Sequence, residues 1–218
     1  MADWFLNYSD TYMPLLALLA SLFFISFMDK KEYLLVAYLS VCFVVFLVTN
    51  LLADKGINNM YFYHFFSLFE IALLGYYFIR CLLKKSIVLY WLILGGYTIF
   101  WYINIVIFEP LAVFNSNSSV VANLIILLLS MYSLFEISKS EDVLYFQRLP
   151  NFWISSAFLV SCALSIFGFV AYKYLQVNNY RDDANRIWLV PLSSSIIRFV
   201  FITIGLLCYK RRRSISST

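Results

Sequence analysis

Seven apolar runs divide the chain, at about residues 12–28, 33–52, 60–83, 87–108, 119–138, 151–172 and 187–209. Each is ~17–24 residues long, enough at ~1.5 Å per residue to cross the ~30 Å hydrocarbon layer of a bilayer as a helix. Lipid offers backbone N–H and C=O groups no partners, so only helices and closed barrels span it, and these runs lack the ~10-residue alternation of barrel strands. With 63% hydrophobic and 13% charged residues, a chain of 218 residues cannot hide its apolar surface in one soluble core. The expected fold is all-α: a single polytopic transmembrane helical bundle over residues 1–218, with about seven spans.

The distribution of positive charge sets an expected orientation. The first, third and fifth connections and the C-terminal tail hold eleven Lys and Arg residues, among them Lys30, Lys31, Lys84, Lys85, Lys139, Arg148 and Lys210 to Arg213. The other set holds four: Lys55, Lys173, Arg181 and Arg186. Positive charge is retained on the cytoplasmic side, which puts the N-terminus outside and the C-terminus in the cytoplasm. Tyr12, Trp91, Trp153, Trp188 and Tyr209 fall where interfacial aromatic belts belong. The basic clusters abut apolar spans, so they read as anchors to anionic lipid and not as a nucleic-acid surface. Met1 to Trp4 lack a basic leader, so no removable signal peptide is expected.

Local signals refine the spans. Pro14 is expected in the opening turn of the first helix, where a missing N–H is harmless. Pro191, Ser194 and Ser195 predict a bend in the seventh. In the sixth, Ala157, Ser161 and Ser165 repeat at four-residue spacing with Gly168 beyond, a small-residue seam that serves helix packing or a homo-oligomer. A short likeness between Phe66–Ile71 and Tyr132–Ile137 is within chance for so apolar a chain.

Charges inside apolar runs are costly, about 2.5–3.5 kcal/mol for a central Arg, so each needs a reason. Glu70 and Arg198 both fall about 15 Å into their helices, and the expectation is a midplane ion pair. Tyr63, Ser67 and Tyr77 share the face of Glu70 at helical offsets, and Ser194 and Ser195 precede Arg198 by one turn. Asn50, Asn59, His64, Asn104 and Asn123 come from four helices in the outer half, with Asp54 and Glu109 at their mouths. They form a candidate outward-facing cavity, although Asn59 and Asn123 also stand where helix caps belong. Glu136 is expected to pair locally with Lys139.

Several chemistries lack their residues. His64, Ser67 and Glu70 lie three apart on one helix, and a single spiral does not converge on a substrate as a catalytic triad must. There is one His and no cluster at metal-ligand spacing, and Cys42, Cys81, Cys162 and Cys208 read as small buried hydrophobes. The seventh run contains no Lys, which removes a retinal Schiff base. No catalytic residues, cofactor or metal are expected.

Asn59 to Glu70 (NMYFYHFFSLFE) and Leu149 to Ser155 (LPNFWIS) resemble a group of uncharacterised, aromatic-rich, seven-helix bacterial inner-membrane proteins. The resemblance implies a helical fold and that location, and supplies no activity. The leading expectation is a small sensor or membrane-partner protein. It would bind something in the outer half and signal through a separate partner at the Lys139–Arg148 link or the basic tail. The alternatives are a transporter or channel subunit for a small solute or proton, and then a lipid-modifying enzyme.

Overall fold

A computed structural model describes residues 8–139 and 146–216, with backbone alone at 181, 185 and 210–216. The chain is all-α over those residues. Its helices are α1 (Ser9–Phe24), α2 (Tyr33–Asp54), α3 (Met60–Tyr76), α4 (Ile87–Ile103), α5 (Ser116–Ser138), α6 (Pro150–Val177), a short α7 (Arg181–Ile187) and α8 (Leu189–Ser216). α3 and α4 each end in a wider π-helical turn, Tyr77–Leu82 and Asn104–Phe108. Counting α7 and α8 as one stretch, seven helices among the described residues are long and apolar enough to cross a membrane. That fits a multi-pass membrane protein.

Six of these stretches close a ring in the order α1, α2, α3, α5, α6, α8, with α8 returning to α1. α4 lies outside it and packs mainly against α3. Its side chains Leu92, Ile99 and Val106 are exposed, as a lipid-facing helix requires. One end of the bundle carries Lys30, Lys31, Lys84, Lys85 and Lys139; the other carries Asn58, Asn59, Asn115, Asn117 and Asn178. These are called the Lys-rich and Asn-rich ends below.

The α6–α8 contact is close because small residues permit it. A Cβ at Gly168 would lie 2.6 Å from the Pro191 ring, and one at Gly205 3.2 Å from Ile154 and from the Pro150 carbonyl. Ala157, Ser161 and Ser165 are buried on this seam, so the small-residue pattern is used within the chain. The ring's interior on the Lys-rich side is filled by Tyr38, Phe78 and Phe158, whose rings meet edge-on at 5.6 Å, with Leu35, Leu39, Ile154 and Ile202 around them.

Three boundaries differ from the sequence reading. α1 begins at Ser9, which puts Pro14 inside the helix instead of its opening turn. α5 begins at Ser116, because Glu109 accepts from the Asn117 N–H and caps its start. The interruption before the last helix falls at Trp188, not among Pro191 to Ser195. The physical cause is still Pro191, whose missing N–H cannot bond the Ile187 carbonyl four residues back.

Candidate functional site

The site grows from one guanidinium. Arg198 sits on α8 with a side chain 11% exposed, and its Nη1 donates to Glu70 Oε1 at 2.8 Å and to the Tyr38 hydroxyl at 2.9 Å. Its Nε donates to Ser161 Oγ at 2.8 Å. The Tyr38 hydroxyl in turn donates to Glu70 Oε1 at 3.2 Å. One cation therefore ties α8 to α2, α3 and α6, and the carboxylate it faces is itself only 6% exposed. A buried charge is tolerable only with partners of this kind.

On the Asn-rich side of this pair lies a cavity of about 130 Å³. Glu70, Arg198, Ser194, Ser195 and Ser165 line its inner part, and Asp10 and Asn115 are among its other walls. Ser165 and Ser194 share a hydrogen bond of 2.7 Å across the α6–α8 seam. Phe46, Tyr63, Phe66, Phe114, Phe169 and Trp188 supply the apolar wall. Rings of Phe114, Phe169, Tyr172 and Trp188 stack on one another at 5.0–6.2 Å, which holds that wall in place.

The residues singled out in the sequence divide between this cavity and other tasks. Glu70, Arg198, Tyr63, Ser67, Ser194, Ser195 and Asn123 line it. Tyr77 is buried on the same helix, but its hydroxyl turns to Glu32 at 3.4 Å. Asn50, Asn59, His64 and Asn104 do not line it. Asn50 bonds Asp10 and Thr11 across α1–α2, and Asn59 donates to the Thr49 carbonyl at 2.7 Å. His64 Nε2–H donates to the Val113 carbonyl at 2.9 Å, and Asn104 donates to Glu109 and Ser118. Asn59 and His64 thus serve backbone carbonyls, and Asn50 and Asn104 tie side chains of neighbouring segments together. His64, Ser67 and Glu70 turn to three different partners, since Ser67 Oγ bonds the His64 carbonyl of its own helix.

Two further polar clusters carry no strong sequence signal. At the Asn-rich end, Glu109 accepts from Lys173 Nζ at 2.6 Å, Ser116 Oγ at 2.5 Å, the Asn117 N–H at 2.9 Å and Asn104 Nδ2 at 3.0 Å. Burial alone raises the Glu109 pKa; these donors outweigh it and leave the carboxyl below its ordinary value. At the Lys-rich end, Glu32 is buried at the start of α2 and accepts from Tyr209 of α8 and from Tyr77. Opposite charges at matching ends of two spans, Glu109 and Lys173, were the available hint for the first cluster. A lone Glu beside Lys31 gives none for the second.

No group of His, Cys, Asp and Glu among the described residues is arranged to hold a metal ion. The Lys139–Arg148 link falls largely outside the described residues, as do the side chains of the basic tail. Comparison with protein-family models, with curated proteins and with solved structures returned no match.

Proposed function

We propose that the chain is a small multi-pass receptor of the cell membrane, N-terminus outside, that binds a small solute in the cavity and passes its presence to the Lys-rich, cytoplasmic end. The carrying observation is that the cavity ends on Arg198, a side chain that ties four helices together. A solute that reaches this floor competes with the bonds of Arg198 to Tyr38, Glu70 or Ser161, and so bears on how α8 sits against α2, α3 and α6. About three turns later, the same helix presents Tyr209 to Glu32 at the Lys-rich end. Tyr77, in the π-helical turn that ends α3, meets the same carboxylate, and such turns recur at functional sites. α8 thus carries the input in its middle, at Arg198, and the output about three turns on, at Tyr209, with a separate signalling partner reading the latter.

Transport is the competing use of a midplane pair. Against it stands the packed layer of Tyr38, Phe78, Phe158 and Ile154 beneath the cavity, all buried. Liposomes carrying the protein, loaded with a pH-sensitive dye and offered radiolabelled methylamine, are expected to show neither proton nor amine flux above empty liposomes. Saturable flux that disappears in Glu70→Gln would overturn the receptor reading in favour of a transporter.

A further inference from the structure

The chemistry of the cavity wall points to one class of occupant, and this step rests on the receptor reading of the same cavity. We infer that it takes a small organic cation with a protonated primary amine and an apolar body of about six heavy atoms.

Charge comes first. The lining holds two carboxylates, Asp10 and Glu70, against one guanidinium. Glu70 and Arg198 neutralise each other at 2.8 Å, while Asp10 Oδ1 meets a neutral donor, Asn50 Nδ2, at 2.9 Å. Among the described residues no cation pairs with Asp10, so the wall keeps one carboxylate for a cationic guest. An anion at Arg198 would come to lie beside the buried Glu70 carboxylate, whose like charge opposes it.

Hydrogen bonding gives the same sign. Asn115 and Asn123, 1% and 4% exposed, both line the cavity, and the Oδ1 of each is buried without a partner. Their orientation is fixed, because Nδ2 of Asn115 donates to the Tyr63 carbonyl at 2.9 Å and Nδ2 of Asn123 to the Ser119 carbonyl at 2.8 Å. Exchanging oxygen for nitrogen would set two acceptors against each other. The surplus is thus in acceptors, and an ammonium group brings three donors and no acceptor. The aromatic wall described above attracts a cation through its ring faces and a hydrocarbon body through its area. Size limits the rest: the cavity's 130 Å³ is near the ~150 Å³ of an apolar cavity that accepts benzene.

The test uses three probes of one shape, cyclohexylamine, cyclohexanol and cyclohexanecarboxylate, titrated calorimetrically into the full chain in lipid nanodiscs, with empty nanodiscs subtracted. The amine is expected to bind at least about tenfold more tightly than the alcohol, and the carboxylate more weakly than both. Asn123→Leu and Asp10→Asn should each weaken the amine about tenfold and leave the alcohol unchanged, with unfolding temperature recorded for each variant. Equal affinity for amine and alcohol, or tightest binding of the carboxylate, overturns the amine class while leaving a solute-binding cavity standing. Binding of none of the three, or amine binding that survives Ser195→Trp unchanged, overturns both.

Discussion

Glu109–Lys173 and Glu70–Arg198 each join a buried carboxylate to a cation, and the two pairs differ in character. At the Asn-rich end, Glu109 and Lys173 sit within a set of donors and acceptors in which Asn104, Ser116 and Asn117 satisfy the carboxylate, beside a cavity of about 560 Å³ that Asn104, Ser116, Asn117 and Lys173 also line. Midway along the bundle, Glu70 and Arg198 are joined at 2.8 Å, and the pair borders a cavity lined by two asparagines whose Oδ1 atoms are without partners. A network whose members satisfy one another holds helices in register; one that borders spare acceptors can exchange partners with a solute. The difference separates a fastening from a site.

The comparison is most open to attack at Arg198. Arg198→Met leaves Glu70 buried without its cation and should cost about 3–5 kcal/mol, read as loss of monodisperse protein in detergent and a lower unfolding temperature. Adding Glu70→Gln should restore part of it; a double variant no better than the single one would mean that the pair does not act as a pair. Next in size is the seam that brings Arg198 to Ser161. Gly168→Ala should destabilise by about 1–3 kcal/mol, since its Cβ would meet Pro191, whereas Gly95→Ala and Gly96→Ala on α4 meet nothing within 4 Å and should be neutral or mildly stabilising.

The Glu109 cluster predicts a pH dependence. Its folded pKa is lowered, so its stabilising contribution is present above the ordinary carboxylate range and is lost as pH falls through the lowered value. Unfolding temperature should therefore drop in acid, and Glu109→Gln should be less stable at neutral pH with a flatter acid limb. Lys173 is 41% exposed, so water screens part of this pair, and the effect should be smaller than at Arg198. Smallest of all is the exposed Glu136–Lys139 pair at 3.2 Å, where Glu136→Gln should leave the unfolding temperature unchanged.

What could be read in advance follows the cost of each group. The seven helices stand out because apolar runs of that length have few other uses, and seven such helices are present among the described residues. Glu70 and Arg198 stand out because a charge deep in such a run demands a partner, and they are found 2.8 Å apart. Tyr38 and Ser161, which complete the cluster, were hidden among the chain's 17 tyrosines and the seam's serines. The asparagines misled for a definite reason. A polar side chain near a helix end signals equally a cavity and an unsatisfied carbonyl, and Asn50, Asn59 and Asn104 meet partners at those ends while Asn123 lines the cavity. Periodicity cannot separate the two, because the answer depends on which loop folds back over the helix end.

A receptor of this kind needs the Asn-rich end to face outward and the cavity to open there and stop at the Glu70–Arg198 floor. In a background where Cys42, Cys81, Cys162 and Cys208 are replaced, Ser195→Cys and Ile202→Cys bracket that floor, the first lining the cavity and the second fully buried beyond it. Intact cells are treated from outside with a membrane-impermeant, positively charged methanethiosulfonate. The account predicts modification at position 195, slowed by cyclohexylamine, and none at 202. Labelling of 195 only after the cytoplasmic face is opened to the reagent, or equal labelling at both positions, would contradict it.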